Sequence, residues 1–263
     1  MANFAEWMAN SYPPWAAYRA LRMGRLIALD KSPGIRPVGI GEIWSRLIAK
    51  IVLVEAGPEA KNACGVDQLC AGLEAGIEGG IHAANQWWKE IELEERHGFL
   101  LVDARNAFNE MSRAAMLWTV RHEWPSGARF VFNCYKRWAI LGIRGQNGSF
   151  LVLHSKEGVT QGDPLAMFAY GIGVLPLIRR LKGNHPRLFQ PWYADDAGAG
   201  GTFDDIRAMF EELQKIGPAY GYFPEPTTSI LVIPPAMVDL ATEYFHDHHF
   251  KITTGSRYLG GFI

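Results

Sequence analysis

Cysteine is scarce in this chain: three in 263 residues, Cys64, Cys70 and Cys134, none close to a histidine partner. That argues against a zinc site and supplies no disulfide framework, so the thiols are expected to be small buried side chains in a reducing compartment. Long apolar runs are missing as well. Those at 99–102 and 230–233 are strand-length, far short of the ~20 residues that cross a bilayer. Residues 1–10 lack the basic and apolar stretches of an export signal, so no membrane partner is expected and the chain is expected to be intracellular. There is no internal repeat and no low-complexity tract.

Excess positive charge is also absent, with 26 Lys and Arg against 27 Asp and Glu, which counts against a nucleic-acid binder. The total conceals a pattern. Residues 1–61 carry 8 basic against 5 acidic side chains and residues 100–150 carry 7 against 3, whereas 62–99 carry 2 against 7 and 201–263 carry 4 against 8. Two basic segments are therefore available to line a phosphate-tracking groove, with the acidic segments facing solvent.

What is present is a chain 48% hydrophobic and 20% charged, enough to bury a sizeable core. Apolar residues Ile43, Leu47, Ile48, Ile51 and Val54 recur at helical spacing, predicting an amphipathic helix over 42–55. A second helix is expected within 69–95, interrupted by glycines. Phe99, Leu100, Leu101 and Val102 read as a buried strand that delivers Asp103 at its C-terminal end. Helices are expected at 110–123, 126–141, 163–181 (shortened or kinked at Pro176) and 203–220. Strands are expected at 149–154, 229–233 and 258–263, with two more across 188–201 joined at Ala194, Asp195 and Asp196. This order predicts an α+β fold with a largely antiparallel sheet backed by helices.

Asp195 and Asp196 are adjacent carboxylates at an expected hairpin tip, flanked by Tyr193-Ala194 and by Ala197-Gly198-Ala199-Gly200-Gly201. Two such charges repel unless something neutralises them, and a hard divalent cation does so with oxygen ligands. Alone, such a pair means little; Asp204-Asp205, at an expected helix start, is the capping kind. With Asp103 at the end of a separate strand, a three-carboxylate cluster becomes possible. Such a cluster can hold two ions about 3.5–4 Å apart for an in-line phosphoryl displacement.

These residues and their neighbours resemble the reverse transcriptases, most closely those of non-LTR retrotransposons. Asp103-Ala104-Arg105-Asn106-Ala107-Phe108-Asn109 is similar to the first palm motif, Glu157-Gly158-Val159-Thr160-Gln161-Gly162-Asp163-Pro164-Leu165 to the second, and Tyr193-Ala194-Asp195-Asp196, the YADD motif, to the third. Gly34-Ile35-Arg36-Pro37 resembles the fingers segment whose basic residue meets the triphosphate, and Tyr258-Leu259-Gly260-Gly261 the primer-grip hairpin. The resemblance implies a right-hand polymerase palm over 99–263, with part of the fingers between the first two palm motifs, a fingers portion over 1–98, and no thumb. It implies RNA-directed DNA polymerase activity, a nucleotidyltransferase using two Mg²⁺ or Mn²⁺ ions on Asp103, Asp195 and Asp196, with dNTP and an RNA or DNA template and primer as partners.

Within that resemblance, Phe108 would exclude the ribose 2′-OH by bulk, while Gln161 and Gly162 would border the nucleotide, the glycine allowing close backbone approach. Lys31 and Arg36, with Lys50 as a further candidate, would neutralise the triphosphate. Two features depart from the family. Thr228 stands where a lysine that protonates the leaving pyrophosphate is usual, a loss worth about 10²-fold in rate or more. The chain ends at Ile263 just after the primer-grip motif, which predicts a piece of a larger retroelement protein or a truncated copy. A decayed remnant that only binds nucleic acid or a protein is the alternative. A viral RNA-dependent RNA polymerase would carry glycine before the two aspartates and a second aspartate in place of Phe108, and a cyclase-like palm would leave Gln161-Gly162 unexplained. Work on genomic DNA would put the protein in the nucleus, an implication of the family and not of a targeting signal.

Overall fold

A computed structural model describes residues 2–30, 35–71, 73–91, 96–145 and 147–263. In chain order the helices and strands are α1 (Ala2–Asn10), α2 (Trp15–Leu21), β1 (Gly24–Asp30), β2 (Ile35–Gly41), α3 (Ile43–Cys64), α4 (Gly76–Ile91), β3 (His97–Val102), α5 (Ala107–Glu110), α6 (Arg113–Glu123), α7 (Pro125–Tyr135), β4 (Ala139–Arg144) and β5 (Phe150–Ser155). There follow α8 (Ala166–Gly173), α9 (Leu175–Asn184), β6 (Trp192–Tyr193), β7 (Asp196–Thr202), α10 (Phe203–Ile216), β8 (Ile230–Val232), α11 (Val238–Tyr244), β9 (Lys251–Thr253), β10 (Arg257–Tyr258) and β11 (Gly261–Phe262). The α+β class is as expected. By compactness the chain forms two units, Met1–Ala63 with Phe108–Gly173, and Cys64–Ala107 with Val174–Ile263. This division differs from a single cut at residue 98.

The first unit holds a four-stranded sheet in the order β2-β1-β4-β5, antiparallel except for the short parallel pair β1 to β4. Its helices are tied down by buried polar contacts. Arg22 pairs with Asp163 at 2.7 Å and donates to Ser45 Oγ at 2.6 Å, and the Tyr135 hydroxyl donates to the same Asp163 oxygen at 2.9 Å. Arg113 donates to the carbonyls of Gly158 and Ser155 at 2.8 and 2.9 Å, fixing the loop after β5. Helix α7 ends at Tyr135, short of the expected 141, because residues 139–144 are drawn into β4 between β1 and β5. Tertiary pairing overrides the local pattern there.

The second unit is built on a five-stranded sheet, β6-β7-β3-β8-β9, antiparallel except between β8 and β9. Strand β3 is central and apolar, paired on both sides, as its unbroken hydrophobic run predicts. Helix α10 is capped by Thr202, whose Oγ1 accepts from the Asp205 N–H at 3.2 Å, so Asp204 and Asp205 are first-turn acids as expected. Its buried face is Phe203, Ile206, Met209, Phe210 and Leu213, each contributing about 1.5–3 kcal/mol over exposure. Pro176 sits in the first turn of α9, so the expected helix over 163–181 is two helices that meet at Val174. The expected final strand is a hairpin, β10 with β11.

Candidate active site

Strands β6 and β7 form a hairpin with the pairs Trp192 to Ala197 and Tyr193 to Asp196, leaving Ala194 and Asp195 as a two-residue turn. Ala194 has φ +52°, a conformation such turns normally give to glycine; an L-residue there costs about 1–2 kcal/mol. Strand β7 can run against its neighbours only because it is nearly bare. A Cβ on Gly200 would stand 2.7 Å from the Trp87 ring, and Trp87 itself stacks on Phe189 with centroids 6.0 Å apart, so the Trp87-Trp88 pair is core packing.

Strand β3 meets β7 antiparallel, and its last pair is Val102 to Ala197. One step further along both strands stand Asp103 and Asp196. Asp103, Asp196, Thr228, Arg257, Tyr258 and Leu259 line one cavity of about 230 Å³. Asp103 is held by its backbone: its N–H donates to Ser229 Oγ at 3.1 Å, and its carbonyl accepts from Glu225 N at 2.8 Å. Its carboxylate accepts from the Thr228 hydroxyl at 2.5 Å. The carbonyl of Asp195 accepts from the buried Tyr222 hydroxyl at 2.9 Å. Asp196 remains solvent-accessible, yet desolvation by the surrounding protein, with the charges of Asp195 and Asp103, pushes its carboxyl up from 3.8 to about 6.

The donor set suits a hard divalent cation: carboxylate oxygens from two strands in one cavity, one of them raised by desolvation and by its like-charged neighbours, a penalty that a cation would relieve. The buried Tyr258 hydroxyl in the same wall has no hydrogen-bond partner among the described residues. Among the described residues, no three His, Cys, Asp or Glu side chains stand together as a ready metal site. The fit is therefore of ligand chemistry and not of a preassembled cage.

The nucleotide-facing candidates belong to the first unit. Phe108 is half-buried and stacks on Tyr170 with centroids 4.4 Å apart and planes at 12°. Gln161 lines a cavity of about 260 Å³ with Asn109, Lys156, Glu157 and Thr160. Gly162 has φ +101°, and a Cβ there would lie 2.5 Å from the Gly39 carbonyl oxygen, so close approach to β2 requires a glycine whatever else it serves. Arg36 is exposed on β2, Lys50 is exposed on α3, and Lys31 lies outside the described residues. An open cavity of about 600 Å³ is lined by Tyr12 and, from the second basic segment, by Trp118, Arg121, Arg129 and Phe132. Tyr12 is 67% and Trp118 66% exposed.

Gln68, Tyr222, Ser229 and Arg257 also stand at the site. None carries a motif signal, since each acts through backbone carbonyls, backbone N–H groups or cavity position. The tract His246-Asp247-His248-His249 forms the region after α11: His248 is buried against Phe210, Phe245 and Phe250, and its Nδ1 meets Asp247 at 2.8 Å. All three cysteines are buried.

No family model matches the chain. Over 212 residues it is 26% identical to the Retrotransposable element SLACS 132 kDa protein of Trypanosoma brucei gambiense, covering 76% of this chain but 17% of that protein. Among solved structures it is similar to telomerase from Candida albicans in complex with a fragment of telomeric RNA, with TM-score 0.60 and 11% identity over 84% of this chain and 44% of that one. Apo telomerase from Candida tropicalis is similar at TM-score 0.61 and 10% identity, over 86% and 46% of the two chains. The chain thus spans about a sixth of the retrotransposon protein and less than half of these telomerase chains. The chain is thus similar in sequence to a retrotransposon protein and shares a fold with telomerase, and both likenesses support a reverse-transcriptase domain.

Proposed function

We propose that the chain is the RNA-directed DNA polymerase portion of a non-LTR-type retroelement protein, its second unit a polymerase palm that adds dNTPs to a primer on an RNA or DNA template. The observation that carries this reading is the convergence of Asp103 and Asp196, from separate strands, on one cavity, with Asp195 next in the chain. When bound there, two divalent ions would lower the barrier to attack by a primer hydroxyl and offset charge on the leaving pyrophosphate. Asp103 and Asp196 would supply oxygen ligands, with Asp195 the third carboxylate of the set. Thr228 orients the Asp103 carboxylate through its hydroxyl. Phe108, braced by Tyr170, would exclude a ribose 2′-OH by bulk. Gln161 and Gly162 would border the nucleotide, with Arg36 and Lys31 toward the triphosphate. The cavity lined by Tyr12, Trp118, Arg121 and Arg129 would track the template backbone.

Extension of a DNA primer on an RNA template, with purified chain, dNTPs and Mg²⁺ or Mn²⁺, tests the reading. Metal-dependent extension that Asp195→Asn with Asp196→Asn abolishes supports it. A folded chain that extends nothing favours the second reading, a decayed remnant that binds nucleic acid or a protein. What supports that second reading is Thr228, which stands in place of the family lysine and engages a carboxylate oxygen of Asp103.

A further inference from the structure

The side chain of Gln68 is fully buried, 0% exposed, between α3 and α4 and far in sequence from the carboxylate motifs. Both ends of its carboxamide engage a single residue. The Ala194 N–H donates to Gln68 Oε1 at 2.7 Å, and Gln68 Nε2 donates to the Ala194 carbonyl at 3.0 Å. This double contact fixes the amide orientation, since exchanging O and N would set two donors and two acceptors face to face. The neighbouring Leu69 N–H donates to the Trp192 carbonyl at 2.9 Å, a backbone tie from the segment to β6. Asp67, one residue before, is paired with Arg179 and Lys182 of α9, each at 3.1 Å, which ties the segment to the rest of its unit.

Ala194 is the residue that most needs such a hold. It is a non-glycine at φ +52°, immediately before Asp195 and Asp196, in a turn where glycine would adopt the conformation at no steric cost. Relaxation of Ala194 to negative φ would re-aim the two carboxylates that follow. It would also break both bonds to Gln68 and leave buried polar groups without partners. The pattern is specific: a glutamine kept only to fill the core would not bond the same residue at both ends.

We propose that Gln68 is a positioning residue for the carboxylate hairpin, pinning Ala194 in the left-handed conformation so that Asp195 and Asp196 face their work. This rests on the polymerase reading of the hairpin and adds to it a residue outside every motif. Gln68 touches neither substrate nor metal in this scheme; it acts through the turn.

Four variants of the full chain test it: Gln68→Met, Gln68→Glu, Ala194→Gly, and Gln68→Met with Ala194→Gly. Methionine keeps the length and removes both bonds to Ala194, together with the longer one that Gln68 Oε1 accepts from the Cys70 N–H at 3.4 Å. Glutamate keeps an acceptor for the Ala194 N–H and loses the donor to its carbonyl. Primer extension at varied dNTP and Mg²⁺ is read together with thermal melting and with hydrogen exchange at the Ala194 and Asp195 amides. A small misplacement of reacting groups costs about 10²-fold. The expected result for Gln68→Met is therefore a drop in kcat of that order, little change in KM for dNTP, a higher Mg²⁺ requirement and faster exchange at Ala194. Adding Ala194→Gly should recover most of the kcat, because glycine holds the turn without the clamp. Gln68→Glu should fall between, and it decides the matter if the methionine variant does not fold. Unchanged extension and exchange in a folded Gln68→Met overturns the proposal, as does a loss that Ala194→Gly leaves uncorrected. If the unmodified chain extends no primer, the polymerase reading fails separately, and faster exchange at the Ala194 and Asp195 amides in a folded Gln68→Met, or its absence, still decides whether Gln68 holds the turn.

Discussion

The hydroxyl of Thr228 donates to Oδ2 of Asp103 at 2.5 Å, so the residue standing in for the family lysine touches a carboxylate that the proposed reaction depends on. Where a lysine would deliver a proton to the leaving pyrophosphate, threonine instead steadies Asp103. Thr228→Lys is expected to raise the rate of single-nucleotide addition, by about 10²-fold if proton delivery limits the step. Thr228→Val is expected to raise the Mg²⁺ concentration required by freeing the Asp103 carboxylate to turn. Rapid-quench measurement of single turnovers reads both; a lysine variant no faster than the native chain would mean that position 228 does not serve the leaving group.

Asp196 supplies a pH signature for the ion-free chain. Its carboxyl is raised from 3.8 to about 6 by desolvation and by the charges of Asp195 and Asp103. A carboxyl raised on folding opposes folding when ionised, so its penalty is present above about 6 and is relieved as pH falls from about 6 toward 3.8. In EDTA at pH 7.5, Asp196→Asn should therefore melt higher than the native chain, with the difference shrinking across that window. The same proton competes with a cation, so Mg²⁺ affinity should fall below pH 6. Melting curves with and without Mg²⁺ over this range decide the point, and a lower melting temperature for Asp196→Asn at pH 7.5 would contradict it.

Phe108 lies stacked on Tyr170, 4.4 Å between centroids. Replacing it by valine removes a stack worth about 0.5–1.5 kcal/mol and opens the space that a 2′-OH would need. The expectation is a modest loss of stability together with a fall of about tenfold or more in discrimination against ribonucleotides. Incorporation of matched dNTP and rNTP pairs measures it, and unchanged discrimination in a folded Phe108→Val would remove Phe108 from the nucleotide site.

Arg121 and Arg129 line the open cavity beside exposed Tyr12 and Trp118. Each phosphate contact to a single strand contributes about 0.7 to the slope of log affinity against log salt. Arg121→Gln with Arg129→Gln should accordingly reduce that slope for single-stranded RNA by about 1.4. Fluorescence anisotropy at several salt concentrations tests this; an unaltered slope would exclude the cavity as a phosphate track.

Much was legible along the chain because it is local. The apolar run ending in Asp103 is a buried strand, Tyr193-Ala194-Asp195-Asp196 is a hairpin, and Asp204-Asp205 opens a helix, each of them a short-range pattern read from neighbouring residues. The strand β4 at the end of the expected helix 126–141 and the parallel edge β9 were not legible, since their partners β1 and β8 lie elsewhere in the chain and burial there outweighs local propensity. The same division holds at the candidate site. The sequence by itself determined the carboxylates and their motifs, because the proposed metal-dependent chemistry would demand those residue types. Only the tertiary structure decided that Thr228 would meet Asp103, that Arg257 and Tyr258 would share its cavity, and that Gln68 would grip Ala194 from 126 residues away. The grip of Gln68 satisfies buried backbone groups of Ala194 that must find partners wherever folding brings one, and no spacing along the chain announces it or the side-chain contact of Thr228.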